Sequence, residues 1–276
     1  MERIDAHQHF WRYDPVRDAW ITDDMAVVQR DFLPDDLGPV YEANAISGCI
    51  AVQADQSEAE TLFLLELADK YSFIKGVVGW VDLQADEVEE RLAYFQRFPK
   101  LKGFRHIVQG EEDPRFLLRP AFLRGIDALG KHGFTYDLLV KPHQLDATLE
   151  FLSHFPGQPF VIDHLAKPYI KTGGRQPWAA QMEDIARYPN VYCKLSGLVT
   201  EADWRIWKPS DFRFYIDHIL QTFGPKRVMF GSDWPVCLTA ADYEQVLGLV
   251  EEAVAKLSSE EQDAVWYRTA AEFYGL

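Results

Sequence analysis

The 276 residues carry 28 Lys and Arg against 43 Asp and Glu, a formal net charge of −15. That balance argues against nucleic acid or an anionic membrane as partner and suits a small molecule. Apolar residues make up 47% of the chain, an ordinary globular share, and no apolar run approaches the roughly 20 residues of a bilayer span.

The first strand is expected over 3–10, where a short apolar run ends in His7-Gln8-His9-Phe10-Trp11. Side chains alternate along a strand, so His7 and His9 point the same way and begin a polar site. No basic stretch followed by an apolar core precedes them, so no secretory leader is expected. The longest insertion follows at about 11–37. It holds Trp11, Tyr13, Trp20 and Phe32 and would lie as a rim or lid over one face of the fold.

Seven further β-rich runs follow at 46–54, 74–82, 101–108, 134–141, 159–165, 191–196 and 227–233. They are bounded by Gly, Pro, Asn or Asp, as strands are. Helical patterns separate them. Val88, Leu92 and Phe95 repeat at i, i+4, i+7, as do Leu145, Leu149 and Leu152, each making one apolar stripe. Ser57 with Glu60, and Ser258 with Glu261, have capping-box spacing. Eight strictly alternating units predict a parallel sheet closed into a (β/α)8 TIM barrel, an α/β fold, with the whole chain, 1–276, as a single domain. No Gly-rich phosphate fingerprint follows the first strand, which argues against a dinucleotide fold. Three scattered cysteines, Cys49, Cys193 and Cys237, form no CxxC pair and are expected as reduced, buried thiols of a cytoplasmic protein.

Barrel chemistry gathers at the C-terminal ends of the strands. Read in order, those ends offer His7 and His9, then Trp80 and Asp82, Arg105 and His106, and Tyr136 and Asp137. Asp163 and His164, Lys194 and Ser196, and finally Asp233 complete the set. Barrel strands are otherwise apolar because their side chains fill a packed interior. Ionisable groups at so many ends predict a functional site.

These residues carry a resemblance. The segments DAHQHFW (5–11), DFLP (31–34), KGFRH (102–106), VIDHLAKP (161–168), KLSGL (194–198) and FGSDWP (230–235) resemble the sugar-lactonase branch of the amidohydrolase superfamily, amidohydrolase family 2. The resemblance spans nearly the whole chain. It implies a metal-dependent-hydrolase-like barrel whose substrate is a small sugar lactone, such as L-fucono- or L-rhamnono-lactone, opened by hydrolysis of its ring ester. It also implies either no required cofactor or one divalent cation, zinc first, held by His7, His9, His164 and Asp233. Metal-dependent members usually add a Lys or His on strand five, where this chain has Thr135-Tyr136-Asp137-Leu138, so a binuclear centre is not expected.

Lactone hydrolysis needs an activated water, a donor for the carbonyl oxygen and a proton for the leaving alkoxide. Asp233 is the candidate base, sharing a water with His7, His9 and His164. Arg105 and Lys194 are the candidate cations. His106 and Tyr136 are assigned to the leaving group or the sugar hydroxyls, Ser196 to substrate binding, and Trp11, Trp80 and Trp234 to the sugar face. Lys141, His143 and Lys167 are assigned to structure. Two other readings are kept: a metal-dependent amidase, deaminase or decarboxylase, and a non-catalytic carbohydrate-binding barrel. A homo-oligomer is left open.

Overall fold

In the computed structural model, which describes residues 2–276, the alternating segments form the expected strands and helices. The strands are β1 (Ile4–Gln8), β2 (Gly48–Val52), β3 (Ile74–Gly79), β4 (Leu101–His106), β5 (Thr135–Leu138), β6 (Phe160–Ile162), β7 (Val191–Leu195) and β8 (Val228–Phe230). All neighbouring pairs are parallel, in the order β1 to β8. Between them run α1 (Pro34–Ala43), α2 (Glu58–Lys70), α3 (Val88–Phe95), α4 (Pro120–Lys131), α5 (Leu145–Ser153), α6 (Trp178–Ala186) and α7 (Pro209–Phe223). After β8 come α8 (Tyr243–Val254), α9 (Ser259–Asp263) and α10 (Thr269–Tyr274). The result is a nearly closed (β/α)8 barrel. Several strands are shorter than their apolar runs suggest: His9, Asp163, His164, Ser196 and Asp233 all sit just past a strand end.

The local signals hold. Ser57 accepts the Glu60 backbone N–H at the start of α2, and the Ser258–Glu261 box caps α9. Val88, Leu92, Phe95, Leu145 and Leu152 are buried, with Leu149 half-buried against them. Gly125 on α4 has no room for a side chain, because a Cβ would collide with the Leu83 carbonyl. The three cysteines are buried and unpaired, and no helix among the described residues is long and apolar enough to cross a membrane.

The N-terminal mouth and the β1–β8 seam of the barrel are closed differently. At the N-terminal mouth, Ala270, Phe273 and Tyr274 of α10 pack on Ile4, Ala6, Ile50, Val52, Val78, Val161 and Met229, and so plug the interior. The seam between β1 and β8 is made by polar groups. His9 N–H donates to the Trp234 carbonyl at 2.7 Å and Asp233 N–H to that of His7 at 2.8 Å. Asp5 completes it. Buried entirely, it accepts the Ser232 and His7 N–H groups on Oδ1 (2.9 and 3.2 Å) and the Tyr41 and Tyr243 hydroxyls on Oδ2 (3.0 and 3.2 Å).

That one carboxylate ties the seam to α1 and α8. Asp5→Ala orphans four buried donors and is expected to cost about 3–5 kcal/mol, read as a lowered urea midpoint, whereas Asp5→Asn, which keeps an acceptor oxygen, costs less.

Candidate active site

Strict alternation from Ile4 would turn His7 and Asp5 to the same side. They face opposite ways because β1 carries one extra residue: Asp5 pairs with Cys49, but Gln8 already pairs with Ala51. A bulge of this kind re-aims the side chains beyond it. Asp5 and Gln8 therefore reach the outer layer, Gln8 donating to Cys49 Sγ at 3.3 Å, while His7 enters the barrel.

Inside, His7 meets a buried charge network. Lys194 has no exposure and directs its ammonium at Asp137 Oδ2 (2.5 Å), Asp163 Oδ1 (3.0 Å) and His7 Nδ1 (3.2 Å). Arg105 donates to Asp163 Oδ2 (3.0 Å), Gln53 Oε1 (3.0 Å), the Gln53 carbonyl and His7 Nε2 (3.3 Å). Two cations against two carboxylates leave the cluster neutral. Burial pushes Asp137 up to about 6 against the pull of Lys194. Asp163 is held well below the usual carboxylate range, because Lys194, His7 and Arg105 together outweigh its burial.

Both cations can only donate, so a neutral His7 ring accepts from one of them. Accepting from Arg105 at Nε2 puts its proton on Nδ1, facing Asp163 Oδ1 at 3.3 Å, and leaves the Lys194 approach to Nδ1 a charge contact without a hydrogen bond. The other imidazoles are oriented in the same manner. His9 Nδ1 must donate to the Val52 carbonyl at 2.7 Å, and His164 Nδ1 meets Ser196 Oγ at 2.9 Å. Gly197, at φ +60, lies where any Cβ would strike the His164 ring, so only glycine lets the ring sit there.

The three remaining Nε2 atoms converge on Asp233 Oδ1, at 3.3 Å from His9, 3.8 Å from His7 and 3.9 Å from His164. Asp233 itself adopts φ +59, a conformation an L-residue holds only when its surroundings enforce it. Burial alone would raise Asp233, but His164, the His9 hydrogen bond and Lys167 outweigh it and leave it below the ordinary value. Burial drives both His7 and His164 well below the ordinary imidazole value.

This donor set fits one divalent cation. Ligand atoms of His7, His164 and Asp233 lie within 4.8 Å of one another, and ligands at about 2.0–2.2 Å from zinc stand roughly 3.3–3.6 Å apart in a tetrahedron. Each imidazole has its other nitrogen engaged, as metal-binding histidines do. His9, already donating through Nδ1, sets its Nε2 lone pair against a carboxylate oxygen, and that gap asks for a proton or a cation. Arg105 beside His7 Nε2 adds a fixed positive charge that lowers cation affinity.

A cavity of about 280 Å³ opens above these groups, lined by His9, Arg105, His164, Asp233, Lys167, Gln109 and, from the insertion after β1, Trp20. The structure thus brings together His7, His9, His164, Asp233, Arg105, Lys194 and Ser196. His7, Lys194 and Ser196 stand behind the cavity lining, and Trp11, Trp80, His106, Tyr136 and Trp234 are not part of it. Tyr136 is fully buried between Phe122 and Phe160, its oxygen accepting the His106 N–H. His106 stacks on Phe116 and pairs with Glu111 at 2.7 Å, and Trp80 donates to it at 3.3 Å. Trp234 packs between Phe10 and Phe32, and Trp11 against Trp20 and Phe32. Lys167 and Trp20, which the site residues chosen from sequence omit, face the cavity instead.

A family model described as "Amidohydrolase" matches residues 4–276. An L-fucono-1,5-lactonase of Burkholderia multivorans is 46% identical, covering 99% of this chain and 96% of that protein. One of Burkholderia ambifaria is 36% identical over 99% and 96%. A crystal structure of a Burkholderia multivorans amidohydrolase with bound zinc is 45% identical, covers all of both chains and has a TM-score of 0.95.

Ser196→Ala removes the partner of His164 Nδ1 and is expected to weaken zinc binding about tenfold, measured by competition with a chromophoric chelator. Unchanged affinity would show that Ser196 does not orient the ring.

Proposed function

The chain belongs to the amidohydrolase family, and from that premise we propose that it is a sugar lactonase that opens L-fucono-1,5-lactone or a close aldonolactone by water attack. The observation that carries the reading is the convergence of three imidazoles on one depressed carboxylate at the floor of a small cavity. At about 280 Å³ the cavity lies at the lower end of ligand sites, which supports a single sugar ring over a polymer. The buried, unpaired thiols support a reducing, cytoplasmic address.

In this mechanism Asp233 takes a proton from the attacking water. Its low affinity for protons keeps it ionised, and Oδ1 faces the cavity floor beside all three Nε2 atoms. His7, His164 and Asp233, with His9 adjacent, would hold a divalent cation, which when bound polarises the carbonyl and acidifies water. Asp163, Val52 and Ser196 fix the three rings, so the lone pairs stay aimed at one point. The hydrophobic sides of Trp20, Leu139 and Val236 keep bulk water from the reacting ester and strengthen the charges around it. Arg105 and Lys194 are already committed to Asp163, Asp137, Gln53 and His7, so their part is to hold His7 rather than to meet the substrate.

Asp233→Asn keeps the left-handed backbone, which asparagine tolerates, and is expected to lower kcat by about 1000-fold in a pH-indicator assay on L-fucono-1,5-lactone. Near-wild-type turnover would remove Asp233 as the base. The same assay with and without chelator measures the cation's contribution.

The pH profile has a sign. A depressed carboxylate stays a base, and depressed imidazoles stay neutral, as the solution acidifies. With buffer blanks subtracted, kcat/KM is expected to stay flat from about pH 7.5 to about pH 6; a fall centred on the ordinary imidazole range would contradict the burial argument.

A further inference from the structure

Resting on the lactonase reading, the geometry points to Lys167 as the acid that protonates the departing ring oxygen. Three cations approach the catalytic centre, and two are spent. The Lys194 ammonium is wholly buried, bonded to Asp137 and ion-paired with Asp163 beside the His7 ring. Both terminal nitrogens of Arg105 are engaged, and its unmatched Nε is sealed from solvent. Lys167 differs. Among the described residues its ammonium has one partner, Glu201 Oε1 at 2.9 Å, and its side chain lines the cavity that holds Asp233 and His164.

The backbone supports the same assignment. His164, Leu165, Ala166 and Lys167 all have positive φ, between +51 and +56, a left-handed turn closed by Lys167 N–H on the His164 carbonyl at 2.7 Å. L-residues adopt this conformation only at a cost, whereas glycine would adopt it freely. The turn is enforced by burial of Leu165 and Ala166 and by the Trp178 indole, which donates to the Leu165 carbonyl at 2.7 Å. Its result is that His164 and Lys167, one turn apart, face one cavity as a rigid pair. Strain held at a site is a pointer to function.

The step balances. Water loses one proton to Asp233 as its oxygen bonds to the carbonyl carbon. The carbon–ring-oxygen bond then breaks, and the leaving alkoxide takes a proton from the Lys167 ammonium, giving the free hydroxyl. The new carboxyl and Asp233 release two protons; one returns to Lys167 and one reaches solvent.

The test compares wild type with Lys167→Met and Lys167→Gly on L-fucono-1,5-lactone. The glycine variant deletes the ammonium while relaxing the left-handed turn, so folding is preserved. Both variants are expected to lose about 100-fold in kcat with KM within about threefold. A kcat within about threefold of wild type in Lys167→Gly, or a loss confined to KM, would overturn the assignment. Wild type that opens no sugar lactone would instead refute the function on which it rests, before either variant is compared.

Discussion

The ammonium of Lys194, wholly removed from water between Asp137, Asp163 and His7, is the constraint around which the barrel is arranged. An ion taken into the interior carries a desolvation penalty of several kcal/mol even after relaxation. Only good geometry and matching charge offset it, so the barrel must also supply Asp137 from β5, Asp163 past β6 and Arg105 from β4. Tyr274 of α10 adds a donor to Asp137 at 2.9 Å, linking the plug of the N-terminal mouth to the charges beneath the cavity. The packing of the plug and the orientation of His7 therefore share one network.

That network orients His7, but the backbone decides that His7 is there to be oriented. The bulge in β1 separates a carboxylate bound into the outer layer, Asp5, from an imidazole inside the barrel only two residues later. Of the six non-glycine residues with positive φ among the described residues, five lie at or beside the cavity: His164, Leu165, Ala166, Lys167 and Asp233. Conformational strain is thus concentrated where side chains must converge, and the surrounding helices enforce it. The plain apolar core elsewhere shows no need of such devices.

The barrel was legible because periodicity is local. Eight β-rich runs separated by amphipathic stripes specify strands and helices whatever surrounds them, and the histidine pair, His164 and Asp233 sit at recognisable strand ends. Side-chain direction was less legible. Arg105 and His106, like Tyr136 and Asp137, are consecutive on a strand, so only one of each pair can face the interior. Arg105 and Asp137 do; His106 and Tyr136 turn to the helices. That adjacency was a readable signal. Nothing comparable marked Lys167, since a left-handed turn without glycine leaves no trace in composition.

The sequence by itself determined the order of elements, the barrel class and the polar character of its C-terminal face, because these follow from short-range patterning and residue chemistry. Only the tertiary structure decided which charges are available. How a lysine is paired depends on neighbours far along the chain: Lys194 meets Asp137 and His7 across 57 and 187 positions, whereas Lys167, among the described residues, pairs with Glu201 alone. Charge pairing is a property of distance in space, and that distance exists only once the chain is folded.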